Sequence, residues 1–126
     1  MRKRLLSGIL IAALGCLALA AVAGARDKAP TKVTIKVQSD GFFGYVKSPK
    51  VNACANNREV IVYKQKGSDQ HPNKDKEVGS DTAQANGDKY MWSTGNSGPP
   101  SGSYYAHVRP TSKCQADSSR TVQASF

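Results

Sequence analysis

Beyond position 25 the chain has no leucine: all six Leu residues lie in the first 25 of its 126 positions. That opening segment also takes 18 of the 49 hydrophobic residues, so the next 101 residues hold 31, roughly 31% against about 45–50% in an ordinary domain. A nucleotide-binding loop, a metal box and a catalytic constellation are all missing, which argues against a two-domain enzyme or a polytopic membrane protein. No window beyond position 25 keeps an apolar i, i+3, i+4, i+7 stripe through ten residues, so essentially no helix is expected. Histidine is limited to His71 and His107, far apart in sequence, and the two thiols outside the opening segment have no neighbouring His. Two thiols cannot supply the three or four ligands of a zinc site. No metal or cofactor is expected.

What the opening segment does have is the layout of a secretory signal: basic Arg2, Lys3 and Arg4, an apolar run from Leu5 to Ala23, and Ala23 and Ala25 spaced as A-x-A. Residues 1–25 are therefore expected to be removed, leaving an N-terminal tail at 26–31 and a folded domain at 32–126. The alternatives are an uncleaved anchor and lipid attachment at Cys16. The A-x-A ending speaks against the first, and a run that continues past the cysteine to Ala23 against the second. Export leaves Cys54 and Cys114 as an even pair in an oxidising compartment, where they are expected to form one disulfide.

The aliphatic residues beyond position 25 are nine Val and two Ile, whose β-branched side chains suit a pleated surface. Period-two runs place strands at Val33–Val37, Phe43–Lys47, Arg58–Lys64, Val78–Ala83, Tyr90–Ser93, Ser103–Arg109 and Thr121–Ser125. In the third, Val60 and Val62 share one face and Ile61 and Tyr63 the other, which predicts a central strand covered on both sides. Asp40-Gly41 and Asn86-Gly87 mark turns. Seven short strands make an antiparallel two-sheet sandwich. Cys54 and Cys114 fall in polar connections, so their bridge should tie two loops at one end, with Trp92 in the core away from it.

Gly44-Tyr45-Val46, Arg58 to Lys64, Asp81-Thr82 to Asn86-Gly87 with Tyr90 and Trp92, and Gly102 to Val108 follow one another in an order that resembles the prealbumin-like sandwich of carboxypeptidase regulatory-like and transthyretin-like domains. The chain is also similar to small exported proteins of actinobacterial type, a likeness that carries no function. The expected fold is thus all-β, seven-stranded, and prealbumin-like or immunoglobulin-like. The resemblance implies an accessory or binding module. It also implies that Tyr90, Trp92, Tyr104, Ala106 and Val108 point inward, while Met91, Tyr105, His107 and Arg109 point outward. Tyr105, His107 and Arg109 then form the better ligand candidate.

Catalytic and metal templates fit poorly. Ser97 lacks the second glycine spacing of a nucleophile elbow. Asn73, Asp75 and Glu77 alternate like calcium ligands, but Val78 stands where Gly is needed and Lys74 and Lys76 oppose a cation. Charge is the main functional clue: beyond position 25 there are 15 Lys and Arg against 9 Asp and Glu. Such a surface steers toward polyanions, although scattered Lys also serve solubility and guard strand edges. Nucleic acid is not expected, because the basic residues do not interleave with exposed aromatics. The polar loop Gln65–Glu77, carrying Lys66, Lys74 and Lys76 and flanked by Lys64, is a second recognition candidate or else a disordered crossover between sheets. The expected function is a secreted, non-catalytic binding or accessory module for anionic envelope polymers, glycans or a protein partner. The rivals are a structural or adhesive protein assembling through strand edges, and a hydrolase with an unrecognised site.

Overall fold

The computed structural model describes residues 27–95 and 99–126; the expected signal segment and Ser97 lie outside them. Ten strands form two antiparallel sheets. They are β1 (Lys32–Val33), β2 (Lys36–Gln38), β3 (Gly41–Lys47), β4 (Glu59–Lys64), β5 (Lys76–Thr82), β6 (Gln84–Asn86), β7 (Lys89–Ser93), β8 (Gly102–Val108), β9 (Asp117–Ser118) and β10 (Val122–Ala124). Sheet I runs β1-β3-β7-β6 with β2 also on β3, and sheet II runs β10-β8-β4-β5 with β9 also on β8. The one helical element among the described residues is a single wide turn at Val51–Ala55.

Ten segments stand where seven strands were expected: the first expected strand is interrupted, and β6 and β9, which lie outside the expected ranges, adjoin two others across a break. β1 and β2 keep a common register on β3 (Val33 opposite Val46, Lys36 opposite Phe43). Between them the Thr34 hydroxyl accepts the Tyr45 N–H at 2.9 Å, and the Thr34 carbonyl turns to accept Trp92 Nε1–H at 3.2 Å. Residue 44 has to be glycine for this, since a Cβ there would lie 1.9 Å from the Thr34 oxygen. β9 and β10 are split by one extra residue, because His107 pairs with Ser118 but Tyr104 with Val122. There the Ser119 hydroxyl accepts the Ala106 N–H at 2.8 Å. The third break lies at Ala83, where the chain leaves β4 in sheet II to pair with β7 in sheet I. Ala83 is fully buried between the sheets.

The core fills the space between the sheets with Val33, Ile35, Phe42, Val46, Val60, Val62, Trp92, Tyr104, Ala106, Val108 and Val122. Val37, expected on the same inward stripe, is 40% exposed on the edge strand β2. At each open side an aspartate of sheet II accepts a backbone N–H of sheet I: Asp117 from Val33 and Asp81 from Ser93, both at 2.8 Å. Each is a charge-assisted bond between layers. The β6–β7 hairpin turns on Gly87, whose φ of +67° suits the first position of a two-residue loop.

One end of the sandwich is clasped. Cys54 and Cys114 form a disulfide across 5.6 Å between Cα atoms, joining the β3–β4 and β8–β9 connections. Ala29 packs on the bridge and pairs alongside Cys114, with Ala29 N–H donating to Lys113 O and Gln115 N–H to Ala29 O. Trp92 lies in the main core, apart from the disulfide.

Candidate functional site

β4 has apolar residues on both faces, and the outward pair Ile61 and Tyr63 needs its own cover. The β4–β5 connection, residues 65–75, supplies it. This loop joins neighbouring antiparallel strands of one sheet, which corrects the expectation of a crossover between sheets. Its middle is held across sheet II, with Gln70 Nε2 donating to Ser119 O and to Thr121 Oγ1, both at 2.9 Å. Asp75, its last residue, closes it: Oδ1 accepts the Lys66 N–H at 3.1 Å, and Oδ2 accepts the His71 N–H at 2.7 Å and the Tyr105 hydroxyl at 2.6 Å.

The fold therefore revises the first ligand candidate. Tyr105 is on the outward face as expected, but it is 0% exposed, stacked on Tyr63 at 5.6 Å beneath the loop. Burial and the neighbouring Asp75 carboxylate raise its pKa. Burial alone would raise the Asp75 pKa as well, but the hydrogen bonds from Tyr105, His71 and Lys66 outweigh it and leave the carboxyl below its ordinary range. A carboxylate depressed in the folded state contributes stability that is fully present above its unfolded value near 3.9 and is lost as pH falls through the folded value. Asp75→Asn, which offers one acceptor where three donors converge, should cost about 1–3 kcal/mol. It should also flatten the fall of stability below about pH 5. Denaturant unfolding at a series of pH values measures both, and equal pH slopes in variant and parent would contradict the assignment. All the Asp75 oxygens are engaged by protein donors, and among the described residues no three His, Cys, Asp or Glu side chains converge.

Beside the covered tyrosines the face stays open. Tyr63, Pro72, Asn73, His107, Arg109 and Pro110 line a polar cleft of about 580 Å³. Arg109 is 60% exposed on its rim, loosely paired with Glu59 at 3.7 Å. Such an exposed pair is weak and leaves the guanidinium available. His107 is half-buried, its Nδ1 2.7 Å from Ser118 Oγ on the opposed residue of β9. Burial and the Arg109 charge lower its pKa against the opposing pull of Asp117. The ring is thereby held toward its neutral form, and Arg109 is the charged side chain lining the cleft.

The sequence candidates thus separate into two groups. His107 and Arg109 share the cleft. None of Lys64, Lys66, Lys74 and Lys76 lines it. Lys66, Lys74 and Lys76 are exposed, while Lys64, opposite Lys76, lies along Gly102 at the far end of the strand.

The residue that sequence reasoning missed is Arg58, only 5% exposed at the clasped end. Nη1 donates to Thr31 Oγ1 and Cys54 O at 3.1 Å, and Nη2 to Arg109 O at 2.7 Å and Gln115 O at 2.9 Å. One guanidinium so links the chain start, both disulfide loops and the backbone of Arg109. Its burial lowers its pKa, but a guanidinium keeps its proton. An Arg ahead of a hydrophobic strand reads as a solvated flank in sequence, and nothing local distinguishes it. Comparison with family models, with curated proteins and with solved structures finds no match to this chain.

Proposed function

We propose that this chain is a secreted, non-catalytic binding module that takes an anionic group of an envelope polymer, glycan or protein partner at Arg109 and His107. The observation carrying this reading is the cleft itself. Its floor is a paired strand, its rim is a loop pinned by Asp75, and its one cation has only a weak surface partner. Export is supported by the signal-like opening and by the disulfide, which suits an oxidising compartment.

Of the two sandwich types expected, we infer the immunoglobulin-like one. With the interrupted strands joined, sheet I has the order A-B-E-D and sheet II the order G-F-C, its last position filled by the first half of the strand that switches sheets. The disulfide between loops, rather than between B and F, sets it apart from antibody domains.

Edge-to-edge assembly is the weaker reading. Both edges of sheet II carry bulges, and the β5 edge displays Lys76, Glu77 and Asp81. These are devices that discourage strand addition. A hydrolytic reading would rest on the Ser118–His107 contact, which joins opposed residues of paired strands and so follows from the ladder itself.

Binding of galacturonate itself, a single sugar too short to span the strands of a sheet, followed by calorimetry, tests the proposal. Affinity should fall with rising salt and fall about tenfold or more in Arg109→Gln. Equal binding by parent and variant would remove Arg109 from the site.

A further inference from the structure

Sheet I carries an arrangement that no sequence pattern displays. Lys32 of β1 lies opposite Lys47 of β3. The β3–β7 ladder ends at Tyr45 opposite Met91, and beyond it Lys47 and Lys89 line the same cleft from the two strands. Lys89 in turn faces Asn86 of β6. The inward neighbours Val33 and Val46 are buried, so the three lysines share the outer face, and all three are exposed. They form a row on three adjacent strands, with Lys32 and Lys47 directly opposed and Lys89 across a cleft from Lys47.

Such a row is unfavourable for folding, because like charges directly opposite one another destabilise a sheet. Among the described residues none of the three has a carboxylate within salt-bridge distance. Guarding an edge accounts for Lys32 alone, since β3 and β7 are interior strands. Two clefts flank the row and meet at Lys47 and Ser48. One, of about 360 Å³, reaches Lys32 and Pro30; the other, of about 320 Å³, is lined by Tyr45, Lys89, Asp88 and Tyr90. Lys89 Nζ sits 5.1 Å from the centre of the Tyr45 ring, so an aromatic face adjoins the cations.

We propose that this row is a second binding site, for an extended carboxylated polysaccharide lying across the strands of sheet I. An extended chain crossing the strands would bring carboxylates to the opposed Lys32 and Lys47 and, across the cleft, to Lys89. The Tyr45 ring gives a sugar an apolar surface to stack on. A nucleic acid would need several aromatic platforms along the groove, and among the described residues only Tyr45 has a lysine of the row over its ring.

The experiment compares polygalacturonate binding by the purified protein, by the triple variant Lys32→Gln/Lys47→Gln/Lys89→Gln, and by Lys28→Gln/Lys113→Gln/Arg120→Gln, which has the same net charge. At about 10 mM salt, where charges reach across about 30 Å, the row variant should lose at least tenfold in affinity and the control less than threefold. Tyr45→Ala should weaken binding severalfold, and the row variant should melt no lower than the parent, because it relieves repulsion. Equal losses in the two triple variants would overturn the site in favour of net charge. Undiminished binding by the row variant would do the same, as would single-stranded DNA binding as tightly as polygalacturonate. Arg109→Gln should leave polymer binding at the row in place, so the two sites stand or fall separately.

Discussion

Replacing Cys54 and Cys114 together by serine should lower the stability of the folded chain by about 4 kcal/mol, the loop-closure value for a bridge that spans 60 residues. In a domain of this size that corresponds to a melting temperature lower by roughly 16–30 °C. The effect is large because the main core is thin and contains no leucine. It is also acute at one place: the bridge, with Ala29, forms its own small buried cluster beyond the main core. Denaturant unfolding of oxidised parent and double variant measures it. The slope with denaturant should rise, because an unfolded chain freed of its cross-link exposes more surface. A loss below about 1 kcal/mol would mean that the clasped end is held by its hydrogen bonds alone.

Arg58→Ala should cost a comparable amount, about 3–5 kcal/mol. The substitution strands four acceptors, three of them carbonyls in the two loops that the disulfide joins. It also removes a buried aliphatic stem. Arg58→Lys tests the geometry separately from the charge. A single ammonium cannot reproduce a planar fork that reaches Thr31, Cys54, Arg109 and Gln115 at once, so it should recover less than half of the loss. Full recovery by lysine would show that charge alone matters. Because Arg109 O is one of the acceptors, Arg58→Ala should also loosen the backbone at the cleft and weaken anion binding in protein that remains folded.

Much of the framework was legible in the chain because it rests on local rules. Alternation of Val60 and Val62 against Ile61 and Tyr63 marks a strand covered on both faces, and both pairs lie in cores. Trp92, Tyr104, Ala106 and Val108 face inward with the period of a strand, as period two requires. The expected cysteine pair is the observed disulfide.

Other properties depend on what folds over what. Tyr105 has the parity of an exposed residue and the burial of a core residue, because Asp75, thirty positions away, brings a polar loop down over it. The switch of sheets at Ala83 breaks no pattern in the chain, since a strand that changes partners keeps its alternation. The lysine row exists only once register has set residues 32 and 47 opposite each other and the fold has brought residue 89 to the same cleft.

The main strands, the apolar faces of β4, β7 and β8 and the pairing of the cysteines could be read from the chain, because each follows from local spacing or count, whereas β6, β9 and the exposure of Val37 could not. The tertiary structure alone decided that Arg58 is buried, that Tyr105 is covered, and that the positive charge gathers at Arg109 and along Lys32, Lys47 and Lys89. Those outcomes turn on distances between residues remote in sequence, and only the packing of the two sheets and their loops sets such distances.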